Sequence, residues 1–190
     1  MEEERIRTKE QLKDWLEFEL RRYPNHGRYR IYNLLLMSEN AVLRRHQILL
    51  RKTEYHINSG HRFLSRLYRM RLELFQMKCR IHIPPNVFGR GLKVMHVGEI
   101  HINGKARAGE NCVIHVHTSL AAAGFNDGVP TIGNGVLLFM GAIVAGDTYI
   151  ADNVVIGANS VVSHSIEEKN VTVAGNPAKI VAHKGRLDMH

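Results

Sequence analysis

Residues 131–162 read TIGNGVLLFMGAIVAGDTYIADNVVIGANSVV. Ile132, Leu138, Val144, Ile150, Ile156 and Val162 stand six apart without a gap. Four places after each of the first five comes a second small or branched residue: Val136, Ala142, Thr148, Val154 and Ser160. Glycine, asparagine and aspartate fill the places between. A helix repeats its apolar residues at three and four, and a half-buried strand at two; a strict six fits neither. Each six-residue unit supplies a short flat strand and a corner, and only Gly, Asn or Asp takes positive φ cheaply at a corner. Three such strands close a triangular coil of about 18 residues with the aliphatic side chains stacked inside.

Upstream, Ile102, Ala108, Ile114 and Leu120 keep the spacing, and 120 to 132 is two further steps. The period predicts a parallel β-helix over residues 80–182 with a tail at 183–190. The segment 121–131, AAAGFNDGVPT, replaces two hexapeptides with loop chemistry and is expected to protrude. One position breaks the count. Six before Ile102 stands His96, an imidazole where the repeat calls for a small or aliphatic residue.

Residues 1–79 have a helical period instead. Thr8 followed by Gln11 has the spacing of a capping box, ahead of the stripe Leu12, Trp15, Leu16 and Phe18 or Leu20. Pro24 and Gly27 stop that helix. Tyr29 to Met37 reads as a short helix, and Ser38 as the cap of a longer one running to about Gly60. A last helix carries Phe63, Leu64, Leu67, Met70, Leu72 and Phe75. With few apolar residues of its own, this segment is expected to lean on the β-helix.

Residues 1–80 hold 18 Lys and Arg against 10 Asp and Glu, whereas residues 81–190 hold 8 of each, so the whole net charge of +8 lies in the helical segment. Clusters such as LRRHQILLRK suggest nucleic acid at first sight. Their cations alternate with Leu, Ile and Tyr at helical spacing, which makes a solvated helix face the better reading, with no nucleic acid as partner. No apolar run approaches the ~18 residues of a membrane span. MEEERIRTKE lacks the basic and apolar regions of a signal peptide. With two cysteines, Cys79 and Cys112, there is no disulfide framework, and the expected compartment is the cytoplasm. Cys112 falls at an inward position of its hexapeptide and reads as a small core residue, not as a nucleophile.

The run from VPTIGNG to IGANSVV and the closing AGNPAKIV resemble the acyl-CoA-dependent acetyltransferases of the left-handed parallel β-helix fold. IHIPPNVFGRGLKVMHVG followed by ING is similar to the serine acetyltransferase branch, in particular to its relatives that modify surface polysaccharides. The resemblance implies a mainly β fold, a left-handed β-helix of hexapeptide repeats behind a helical N-terminal segment, assembled as a homotrimer. It implies acetyl-CoA as cosubstrate, no metal, and His96 as the general base that takes a proton from an acceptor hydroxyl. Coenzyme A contacts map by position onto Gly141, Ala158, Ser163, His164 and Lys179. For Gly141 and Ala158 corner geometry is an alternative explanation, and for Lys179 a solvated lysine.

The chain departs from that branch where the amino acid is held. Met95 stands in place of the Asp before the histidine, Gly128 and Val129 replace two loop residues after Asp127, and Ile81 stands where the Asp that orients the histidine belongs. A sugar or glycan hydroxyl is therefore the expected acceptor, with free serine the alternative. Glu99, Glu110 and Asp127 are the candidates to orient His96, and His115 and His117 are candidate acceptor contacts. A rival of another class rests on the histidines. His96 and His101 are five apart, with His115 and His117 about one coil later. That arrangement resembles the zinc ligands of the γ-class carbonic anhydrases, which share this fold. A non-catalytic scaffold is the third possibility.

Overall fold

The computed structural model describes residues 5–24, 38–124 and 128–186. The expected short helix at Tyr29–Met37 and the residue Asp127 lie outside them. Among the described residues three helices come first: α1 (Lys9–Leu20), α2 (Glu39–Asn58) and α3 (Arg62–Cys79). The capping box of α1 closes, with Gln11 N–H donating to Thr8 Oγ1 at 3.1 Å and Thr8 N–H to Gln11 Oε1 at 3.1 Å. Ser38 precedes α2 as expected, but its side chain makes no capping hydrogen bond. Arg80, in the left-handed region at φ 56°, turns the chain out of α3 into the first strand.

Fourteen short strands follow among the described residues. β1 (Ile81–His82), β3 (Ile100–Ile102), β6 (Ser119–Ala121), β9 (Ile143–Ala145) and β12 (Val161–Val162) stack as one parallel sheet, the first face. β4 (Arg107–Ala108), β7 (Thr131–Ile132) and β10 (Tyr149–Ile150) make the second. β2 (Lys93–Val94), β5 (Val113–Ile114), β8 (Leu137–Leu138), β11 (Val155–Ile156) and β13 (Thr172–Gly175) make the third. β14 (Ala178–Ala182) folds back antiparallel on β13 and closes the end. The chain visits the faces in rotation, and the architecture is a left-handed parallel β-helix. Among the described residues no helix is long and apolar enough to cross a membrane.

The six-residue count is the stacking rule of the interior. Ile102, Ile114, Leu120, Ile132, Leu138, Val144, Ile150, Ile156 and Val162 are fully buried, as are Cys112, Val136, Ala142, Val154 and Ser160 at the second inward position. Strand register shows the coil length: Leu137 pairs with Val155, 18 residues on, but Val113 pairs with Leu137, 24 on. The loop after β6 thus adds six residues to one coil, and does not displace two whole hexapeptides.

Two findings differ from the reading of the helical segment as a solvated basic face. Arg51 is fully buried, gripped by Glu19 at 2.7 Å and Glu54 at 2.8 Å, with Trp15 4.8 Å from its guanidinium carbon. It donates onward to the carbonyls of Phe88 and Gly89 in the first coil at 3.0 and 2.8 Å. The second finding extends this. A first coil has no coil before it, so backbone groups on its outer edge need other partners. Side chains of the helical segment, on the helices and just past α1, provide them. Gln76 donates to Ile83 O, Arg22 donates to Gly91 O, and Tyr23 Oη accepts from Val94 N–H. Glu54, Glu19 and Glu39 accept from the N–H groups of Asn86, Gly91 and Val97. Leu50, Leu72 and Phe75 join the prism's own core beneath this edge, so the helices do lean on the β-helix.

Candidate active site

The candidate site is on the edge between the third face and the first. On the first coil it is enlarged: Val94 aligns with Ile114 and Ile102 with Leu120, so eight residues separate Val94 from Ile102 where six separate Ile114 from Leu120. The two extra residues take His96 out of the inward count. Val94, not His96, fills the core, and the imidazole stands half-exposed on the corner. Below it on the same edge come His115, 6.2 Å away between ring centroids, and Phe139, stacked on His115 at 5.1 Å. Burial is the main cause that lowers the His115 pKa, with His96 and Lys93 adding to it, so His115 is held neutral more firmly than an ordinary histidine.

The group that meets His96 is Glu39, the first residue of α2. Its two carboxylate oxygens lie 3.3 and 3.4 Å from His96 Nδ1, and Oε1 also accepts from Val97 N–H at 2.9 Å. Sequence reasoning missed it: nothing in the spacing brings residue 39 beside residue 96. Of the residues expected in this role, Glu110 and Glu99 are elsewhere, and Asp127 lies outside the described residues; at the position of the relatives' orienting Asp the chain has an apolar residue. Ile81 is fully buried inside the prism. Glu110 sits on the edge between the second and third faces, around the prism from His96. Glu99 is exposed beside His82 and His101, and its carbonyl accepts from His117 N–H. With Nδ1 against Glu39, Nε2 of His96 has no hydrogen-bond partner among the described residues. That arrangement leaves Nε2 to accept a proton.

The remaining predicted residues divide between two edges. His117 (φ 60°), Gly141 (φ 74°) and Asn159 (φ 55°) form one left-handed column on the His96 edge. A Cβ on Gly141 would meet Asn159 Oδ1 at 2.1 Å, so corner geometry by itself accounts for a glycine there. Ala158 is exposed on the same edge, and Lys179, in register with Ala174, is exposed on β14. Ser163 and His164 are also exposed, but past β12, around the next corner. Met95 packs against Val113, Leu137 and Val155 on the outside of the third face and offers an ammonium nothing.

Within one protomer the histidines named for the zinc alternative stay apart. His101 is stacked on His82 at 5.2 Å on the first face, away from the His96–His115 pair. Among the described residues no three His, Cys, Asp or Glu side chains are grouped to hold a metal ion. Cys112 is buried, and burial pushes its thiol up to about 12, which suits a core residue.

Residues 130–164 match the family described as bacterial transferase hexapeptide (six repeats). This is a hexapeptide-repeat chain similar to the serine acetyltransferases. It is 31% identical over 140 residues to the serine acetyltransferase of Synechococcus elongatus, covering 67% of this chain and 57% of that one. With the serine acetyltransferase of Staphylococcus xylosus it shares 39% over 109 residues, 56% of this chain and 50% of the other. The chain thus spans little more than half the length of these relatives. The crystal structure of Neisseria gonorrhoeae serine acetyltransferase superposes with a TM-score of 0.68 at 27% identity, over 95% of this chain and 70% of that one.

Proposed function

We propose that this chain is an acetyl-CoA-dependent O-acetyltransferase in which His96 is the general base. The observation that carries the reading is the His96–Glu39 contact on an accessible edge, with Nε2 left without a partner among the described residues. In the proposed reaction the acceptor hydroxyl gives its proton to Nε2 as its oxygen attacks the thioester carbonyl; the C–S bond then breaks and the imidazolium returns the proton to sulfur, so coenzyme A leaves as the thiol. Glu39 is a positioning residue: its carboxylate fixes the tautomer with the proton on Nδ1 and steadies the imidazolium that forms.

Serine is the leading acceptor. Relatives at 31% and 39% identity are serine acetyltransferases, and the gonococcal structure, at 27% identity, is also described in complex with serine. These relatives support serine over the sugar hydroxyl expected from Met95, Gly128 and Val129. A sugar or glycan acceptor stays as the second reading because Met95 is occupied in an apolar cluster.

Gly141, Ala158 and Lys179 lie along the His96 edge while Ser163 and His164 lie around the next, so one protomer does not gather them. The reading therefore includes a homotrimer, with acetyl-CoA laid along a cleft between two prisms whose facing edges supply the two sets. The test is acetyl-CoA turnover, read by a thiol reagent, across serine, nucleotide sugars and oligosaccharides. Turnover of serine at about 10⁴ M⁻¹s⁻¹ or more supports the leading acceptor. Turnover of sugars alone selects the second reading, and no thiol release with any acceptor rejects the proposed reaction.

A further inference from the structure

At the corner where the second face meets the third, two guanidiniums from distant parts of the chain meet at Asn111, and Lys93 stands beside that corner on β2. Arg22, just past α1, donates to Gly91 O at 2.5 Å and to Asn111 Oδ1 at 3.2 Å. Arg186 comes back from the C-terminal tail and donates to Asn111 O at 2.5 Å and Gly135 O at 3.4 Å. Lys93 stands on β2, on the outer side of a strand whose Val94 points into the core, and is paired in register with Val113, two residues past Asn111. All three are half-buried. Among the described residues no carboxylate pairs with any of them. Glu19, which acts on Arg22 through space, is already committed to Arg51, Gln47 and Gly91 N–H. Arg186 Nε is buried with no hydrogen-bond partner among the described residues.

Like charges half-removed from water repel each other unless a counter-charge joins them. Burial and mutual repulsion also act on the ionisation of two of them. Burial first, then Arg22 and Arg186, pull the Lys93 ammonium below its ordinary value, and burial followed by Arg186 does the same to Arg22. Three donors of fixed charge converging without an acid are the complement of a doubly charged oxyanion, and guanidinium forks match phosphate oxygens in pairs.

We propose that Arg22, Lys93 and Arg186 form a phosphate-binding site on the face that leads to His96 and His115. Lys93 is three residues from His96, at most about 11 Å along the backbone, while the guanidiniums stand at the opposite corner of that face, so a ligand anchored by phosphate reaches the base only if its hydroxyl lies the width of the face away. The phosphate has three possible sources: a phosphorylated acceptor, acetyl-CoA, or free phosphate acting as an effector. The assignment of source rests on the acetyltransferase reading; the binding site does not.

Inorganic phosphate titrated into the full chain, at ionic strength held constant with chloride, tests the site by calorimetry without any turnover. Saturable binding in the millimolar range or tighter is expected, with a melting temperature that rises with phosphate. Lys93→Gln and Arg186→Gln should each weaken that binding tenfold or more while melting normally in chloride. If Lys93→Gln loses stability, Lys93→Met keeps the apolar stem and makes the same test. A phosphate response no greater than that to chloride, or one unchanged in the variants, overturns the proposal. Where phosphate binds, inhibition competitive with the acceptor assigns the group to the acceptor, and inhibition competitive with acetyl-CoA assigns it to the donor. Competition with neither identifies an effector.

Discussion

His96 escapes the six-residue count because its corner is two residues longer than the one below, and the extra length is what makes an imidazole available on the surface. His96→Ala should lower turnover by roughly 10²–10⁴-fold, leave coenzyme A affinity within a few-fold, and leave the melting temperature unchanged, since the ring is half-exposed. Lost stability with full activity per folded molecule would reassign it as a structural residue. Glu39→Gln separates charge from shape. The amide oxygen still accepts from Val97 N–H, but the charge opposite Nδ1 is gone. Turnover at saturating acetyl-CoA should fall about tenfold, close to 1.4 kcal/mol, with Glu39→Asp recovering part of it; equal rates in all three proteins would remove Glu39 from the mechanism. The histidine was readable as the residue that broke a period. Its carboxylate was not, because Glu39 and His96 meet only after α2 has been laid across the first coil, and no local pattern records that crossing.

At the scale of elements, the repeat was legible almost residue by residue, since each aliphatic position has one inward place to go. The helices were legible in position but not in attachment: Arg51 looks like its solvent-facing neighbours in sequence, yet is fully buried. Removing its main partner with Glu19→Ala should cost about 3–5 kcal/mol, read by chemical denaturation. His46, on α2, gives the segment an acid sensitivity. Burial, then the charge of Arg51, push it down to about 3, while in the unfolded chain it titrates near 6.5. The unfolded state therefore binds the extra proton, and stability should fall as pH drops from about 6.5 toward 3, by up to ~1.4 kcal/mol per pH unit. His46→Gln should flatten that slope. The corner column makes a different prediction. His117 holds a left-handed conformation that Gly141 and Asn159 hold at less cost. His117→Asn should raise stability by about 1 kcal/mol in thermal unfolding; a rise accompanied by lost turnover would place the imidazole in the acceptor site.

For the whole molecule, Phe139, Met140 and Ile143 expose apolar surface on and beside the His96 edge, and Tyr149 does so on the second face. Their burial between protomers is the simplest account of the proposed trimer. Light scattering should return about three times the 21.6 kDa of one chain. Ile143→Glu should lower that to the single chain and abolish turnover, whereas an active species at single-chain mass would rule out a shared site.

The helical side chains that occupy the outer edge of the first coil also decide how this protein can fail. A β-helix grows by adding coils to an open end, and such an end accepts any strand that fits, including another copy's. Gln76, Glu54, Arg51, Glu19, Arg22, Tyr23 and Glu39 occupy those positions one by one. Loosening them converts a self-limited particle into a polymerising one. Variants that detach the helices, or acid that weakens them through His46, should therefore produce filaments that lengthen from a seed, visible by electron microscopy, before any loss of β-structure registers in the far-ultraviolet.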